Sequence, residues 1–73
     1  MWWFEITLSH ILDRKGISNR ELARRTGIRP ATINSLCNNT AKQLSFDNLA
    51  TICEVLDIDL DEIILLHKEE KRD

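Results

Sequence analysis

The sequence predicts an all-α fold of five short helices around one small core, and three observations carry that prediction. Helix-start signatures recur in one grammar: a hydrophobic residue, a capping Ser, Thr or Asp, two residues, a group able to return the hydrogen bond, and a second hydrophobic residue. Ile17-Ser18-x-x-Glu21-Leu22 and Ile58-Asp59-x-x-Glu62-Ile63 fit it fully, Leu44-Ser45-x-x-Asn48-Leu49 has a weaker partner, and Ile6-Thr7-x-x-His10-Ile11 has the weakest. Apolar residues then recur at helical spacing after each start. Finally, a chain of 73 residues buries only about 60% of its unfolded surface, which leaves room for one core and hence one domain over residues 1–73.

Helix 1 is expected from about Thr7 to Lys15, with Leu8, Ile11 and Leu12 on one face and Gly16 ending it in a left-handed conformation. Helix 2 runs from Ser18 to about Thr26, buries Leu22 and Ala23, and stops at Gly27. Helix 3 starts at Pro30, whose fixed φ and missing N–H suit the first helical position, and runs to about Asn38. A loop over 39–44 leads to helix 4, Ser45 to about Leu56, with Phe46, Leu49, Ile52, Cys53 and Leu56 at helical spacing. Helix 5 is expected from Asp59 to about Leu66, and the charged tail KEEKRD frays. The opening WWFEI has high β-propensity, and two readings stay open. It either extends helix 1 backwards or forms a short strand that pairs with Ile64 to His67 or with another chain. The tryptophans accordingly close the core within the chain or make a dimer contact.

Composition excludes several classes. The longest apolar runs, Trp2 to Phe4 and Ile63 to Leu66, are far below the ~20 residues of a membrane helix. No secretory leader pattern is present at the N-terminus, so the cytoplasm is the expected compartment. Cys37 and Cys53 stand apart without a metal or redox spacing and are expected as buried thiols, and His10 and His67 as surface or satisfied residues. No metal, cofactor or small-molecule ligand is indicated. The sequence lacks GxGxxG, a P-loop and paired acid/base groups, which argues against an enzyme.

The net charge of -2 conceals an uneven distribution. Residues 14–42 carry seven basic groups (Arg14, Lys15, Arg20, Arg24, Arg25, Arg29, Lys42) against Glu21 alone, or +6, whereas residues 43–73 sum to -6. The middle segment suits a polyanion. Within it, helix 2, a short turn at Gly27 and helix 3 read as a helix-turn-helix over about 18–38, with Ile28 entering the core. A helical wheel puts Ile33, Leu36 and Cys37 on one side of helix 3 and Ala31, Ser35 and Asn38, flanked by Asn34 and Thr32, on the other. That outer face is small, uncharged and rich in hydrogen-bonding groups, as base readout in a major groove requires, while the surrounding Arg and Lys can hold phosphates. Arg24 and Arg25 can equally lie on a solvated face.

LARRTGIRPATINSLCNN followed by LSFDNLATICEVLDIDLDEII resembles the phage repressor and Cro type of helix-turn-helix regulator, the XRE family, over roughly residues 6–66. The resemblance implies a five-helix lambda-repressor-like bundle that binds operator DNA as a homodimer and regulates transcription, as a repressor, in a bacterium or phage. Carried over by position, Arg29, Ala31, Thr32, Asn34 and Ser35 are expected at bases, and Asn19, Arg20, Arg24, Asn38 and Lys42 at the DNA backbone. Two departures matter. Arg29 and Pro30 stand where the family often has a Ser or Thr cap and a polar residue, and proline reads no base. Asn39 replaces the usual glycine, a mild change because asparagine tolerates the left-handed conformation.

A palindromic operator calls for two recognition helices about 34 Å apart, and the expected dimer contacts are Trp2, Trp3, Ile64 and Leu65. The alternative is a helix-turn-helix fold used for protein contact, such as an antitoxin or an anti-repressor component, with the acidic end engaging the partner.

Overall fold

A computed structural model of the chain describes residues 1–70, so the last three residues of the KEEKRD tail lie outside the described part. The element order is β1 (Trp2–Ile6), α1 (Leu8–Lys15), α2 (Asn19–Thr26), α3 (Pro30–Cys37), α4 (Phe46–Leu56), α5 (Leu60–Ile63) and β2 (Ile64–Lys68). Among the described residues five helices are present as expected, together with a two-stranded antiparallel sheet.

Local chemistry explains most boundaries. Ser18 and Ser45 cap α2 and α4, accepting from the backbone N–H of Glu21 at 3.1 Å and of Asn48 at 3.3 Å. Asp59 and Glu62 form the full reciprocal capping box of α5. Thr7 departs from the expected grammar, since it makes no side-chain cap on α1 and instead donates its hydroxyl to the Glu62 carbonyl at 2.7 Å. Donating that bond leaves the oxygen free to accept, but the Thr7 backbone, at φ -96 and ψ 18, lacks the extended conformation of Ser18 and Ser45 that aims a capping oxygen at the first helical N–H groups. At the other ends, Gly16, Asn39 and Asp57 take positive φ. The residue after each returns an N–H to the last turn: Ile17 to Leu12, Thr40 to Ser35 and Ile58 to Cys53, each at 3.0 Å.

The C-terminal segment corrects the expected helix 5. The helix stops at Ile63, and Ile64–Lys68 runs as a strand against Trp2–Ile6, pairing Ile6 with Ile64, Phe4 with Leu66 and Trp2 with Lys68. WWFEI is therefore strand, not a backward extension of α1. An apolar run of four residues satisfies a helix or a strand equally well, and here the partner strand decides. Thr7 N–H donating to the Ile63 carbonyl at 2.8 Å continues the pairing to the point where both strands join the helical body.

The core holds eleven residues, Leu8, Ile11, Leu12, Leu22, Ala23, Ile28, Ile33, Leu36, Ile52, Leu56 and Ile63, and among the described residues no polar group is buried with them. It is wholly aliphatic. Trp2 and Trp3 do not close it, and Phe46, at helical spacing with core positions, is 88% exposed because it begins α4 beyond the core's edge. Cys37 and Cys53 are half-buried instead of fully buried.

Asn39 links the two parts of the fold. Its side chain accepts from the Ile6 N–H at 2.6 Å and donates to the Ile6 carbonyl at 3.0 Å, so the residue following α3 holds the base of the ribbon. Replacing it separates its two roles. Asn39→Gly should cost about 1–2 kcal/mol from the lost pair of hydrogen bonds, and Asn39→Ala about 1 kcal/mol more from left-handed strain. Urea denaturation of both variants checks this, and equal stability of the two would refute the strain component.

Candidate nucleic-acid interface

The interface is built on how α3 is seated. Ile33 and Leu36 are buried and Cys37 is half-buried, which pins one side of the helix against α2 and the core. Gly27, at φ 74, ends α2 with its N–H on the Ala23 carbonyl at 2.9 Å, a conformation in which an added side chain would be strained. Thr26 reinforces the turn by donating its hydroxyl to the Leu22 carbonyl at 2.8 Å and accepting from the Ile28 N–H at 3.2 Å. Ile28 then enters the core, and α3 departs in a new direction with Arg29 at its N-cap position and Pro30 first in the helix.

The opposite side of α3 is open. Ala31, Asn34 and Asn38 are exposed, and Thr32 and Ser35 are half-buried. Asn34 accepts from the Asn19 side-chain amide at 2.9 Å, and the Asn19 carbonyl oxygen lies 3.6 Å from the Cys37 thiol, which donates to it. Asn19, expected at the DNA backbone, thus first engages the Asn34 carbonyl oxygen, and no hydrogen bond from the Asn34 side-chain nitrogen is made among the described residues. This link between the start of α2 and the middle of α3 was not legible in the sequence, because fifteen residues and the angle between two helices separate the partners.

Arg20, Arg24 and Arg29 are gathered around one shallow depression, floored by Ala23, Gly27, Ile28 and Pro30. All three are exposed, and none makes an ion pair among the described residues. Arg25 differs, because Glu21 one turn away holds its guanidinium in a salt bridge, which makes it the solvated-face arginine. Asn38 closes the other end of α3 as its C-cap, about 13.5 Å from Arg29 at 1.5 Å per residue. Lys42 stands elsewhere. It is exposed on the loop before α4 and lines an apolar groove with Phe4, Leu44 and Phe46.

Two groups depart from their ordinary acidity. Burial, and secondarily the charge of Asp13, pushes the Cys37 thiol above the ordinary cysteine range. Burial does the same to Cys53, aided by Asp59 and Glu62. Both thiols are held neutral, so neither behaves as an activated nucleophile.

The family model for the Cro/C1-type helix-turn-helix DNA-binding domain matches residues 7–69, and the chain belongs to that family. Two crystal structures share its fold. One is of a candidate DNA-binding protein from Bacteroides fragilis, with a TM-score of 0.77 and 30% identity over 86% of this chain and 100% of that one. The other is of the transcriptional regulator VanUg, with a TM-score of 0.76 and 26% identity over 93% of this chain and 89% of that one. No curated protein matches the chain significantly. Among the described residues, no helix is long and apolar enough to cross a membrane.

The Asn19–Asn34 contact makes a measurable expectation. Asn19→Ala should lower stability by about 0.5–1.5 kcal/mol, the usual worth of one such bond. It should also speed iodoacetamide labelling of Cys37 in the native protein, since the thiol loses its acceptor and part of its cover. Labelling at the parent rate would show that Asn19 does not shield the thiol.

Proposed function

We propose that the chain is a sequence-specific DNA-binding transcriptional regulator in which α2 and α3 are the helix-turn-helix and α3 enters the major groove. The observation that carries this reading is the open face of α3. It consists of short uncharged groups, with unpaired arginines gathered at one end of the helix and Asn38 at the other. A helix that merely faced solvent would gain more from long charged residues, whereas one that approaches base edges needs short polar ones.

The proposed division of labour follows from reach. Thr32, Asn34 and Ser35 offer hydrogen bonds to bases, Ala31 permits close approach or touches a thymine methyl, and Arg29 reaches a guanine or an adjoining phosphate. Arg20, Arg24, Asn19, Asn38 and Lys42 hold the sugar-phosphate backbone, with Lys42 the most distant from the arginine group. Regulation by repression is the simplest outcome, because a bound domain occludes a promoter without further contacts. The activity proposed is binding and not catalysis, carried out by a single domain in the cytoplasm, with two copies reading a palindromic operator. A protein-contact role draws support from the exposed aromatic residues, but these lie off the open face of α3, so contact there is compatible with DNA binding.

An unbiased selection from a random DNA pool tests the reading, and an enriched palindrome is the expected result. On the selected site, Arg29→Ala should either reduce the salt slope of binding by about one or relax preference at one base pair. Unchanged affinity at every salt concentration would remove Arg29 from the interface. Asn34→Ala and Ser35→Ala should each cost on the order of 1–3 kcal/mol on the selected site and much less on random DNA. Equal losses on the two would show that these side chains do not read sequence.

A further inference from the structure

All four aromatic residues of the chain lie outside its core. Trp2 is 58% exposed, Trp3 46%, Phe4 67% and Phe46 88%. For a small domain short of apolar material this distribution needs a reason, since each buried aromatic removes 150–250 Å² from water.

The ribbon sorts these side chains by face, because residues directly opposite one another across a ladder share a face and neighbours alternate. Trp2, Phe4 and Ile6 stand across from Lys68, Leu66 and Ile64. Lys68 places its ammonium 4.9 Å from the centre of the Trp2 ring, so one face is apolar with a single cation at its outer end. The other face is self-contained. Trp3 stacks on His67 at 5.0 Å, and His67 is hydrogen-bonded to Glu5 at 2.7 Å, with Leu65 beside them.

The apolar face does not stop at the ribbon. It runs into a groove of about 450 Å³ between the ribbon base, the 39–44 loop and α4, where Phe4, Phe46, Leu44 and Leu60 meet. Five residues of paired strand project about 17 Å, which fits a molecule 48 Å long but only 21 by 19 Å across. One surface therefore carries both an apolar projection and an apolar groove at its foot.

We propose that this surface binds a second copy of the chain, with two ribbons packed face to face about a two-fold axis and the Trp2 end of each reaching toward the groove of the other. A two-fold contact needs one patch that complements itself, and a projection and a groove on the same face do so. Together Trp2, Phe4, Phe46, Leu60 and Leu66 offer roughly 600 Å² per chain, at the upper limit for a patch left exposed on a monomer. That approaches the roughly 800 Å² per partner of a standard interface. Pairing of free strand edges would leave this face in water, whereas face-to-face packing removes it. Of the contacts expected from sequence, Trp2 belongs to the interface and Ile64 supports its base. Trp3 and Leu65 point the other way.

The proposal deepens the two-copy part of the reading above and is independent of DNA binding, so its test uses protein alone. Sedimentation equilibrium is run on the full chain and on Phe4→Glu, Phe46→Glu and Leu65→Glu, with circular dichroism to confirm the helices. Phe46→Glu is the decisive variant, because it changes an exposed side chain in the first turn of α4, where a carboxylate suits the helix dipole. The parent should dimerise, Phe4→Glu and Phe46→Glu should weaken the dimer by more than about tenfold, and Leu65→Glu should leave it intact. A parent that stays monomeric overturns the proposal, as does a folded Phe46→Glu that dimerises normally or a Leu65→Glu that dissociates equally.

Discussion

The seating of α3 depends on the burial of Ile33 and Leu36 in an aliphatic core shared with Leu22 and Ile52. These side chains fix which side of a two-turn helix faces inward, and with it which residues face out. A helix of eight residues has little stability of its own in water, so the open face of Ala31, Asn34 and Ser35 exists only while the opposite side stays packed. The polar contacts around it refine the arrangement. Asn19 orients Asn34, and Thr26 stiffens the turn into α3.

The same residue that follows α3 also governs the ribbon. Asn39 takes the left-handed conformation at the helix end and grips both backbone groups of Ile6. The segment proposed to read DNA and the segment proposed to hold a second copy are thereby joined through one side chain. Two copies could present their recognition helices at a fixed separation only with such a rigid link, because half-site spacing on DNA is a geometric requirement.

The charge distribution gains meaning from the fold. The basic stretch 14–42 does not act as a uniform positive patch, since Glu21 occupies Arg25 and Lys42 lines a separate groove. Of the groups left without an ion pair among the described residues, Arg20, Arg24 and Arg29 converge. Convergence matters more than the total, because a phosphate responds to the charges within a few ångströms of it and salt screens the rest.

Features set by near neighbours were legible in the residues themselves. The serine caps, the capping box at Asp59, the glycine stop at Gly27 and the two sides of α3 each depend on contacts within one or two helical turns, and each is present. The start of α1 is the exception: Thr7 does not take the extended capping conformation, and its hydroxyl donates to a distant carbonyl. What the tertiary structure alone decided was every pairing of remote segments: Ile64–Lys68 as strand, the grip of Asn39 on Ile6, the placement of Phe46 outside the core and the gathering of the arginines. The reason is physical. A cap is chosen among a handful of nearby groups, while a strand partner or a core edge depends on chain closure over dozens of residues, and no local pattern records which of several satisfactory partners will be within reach.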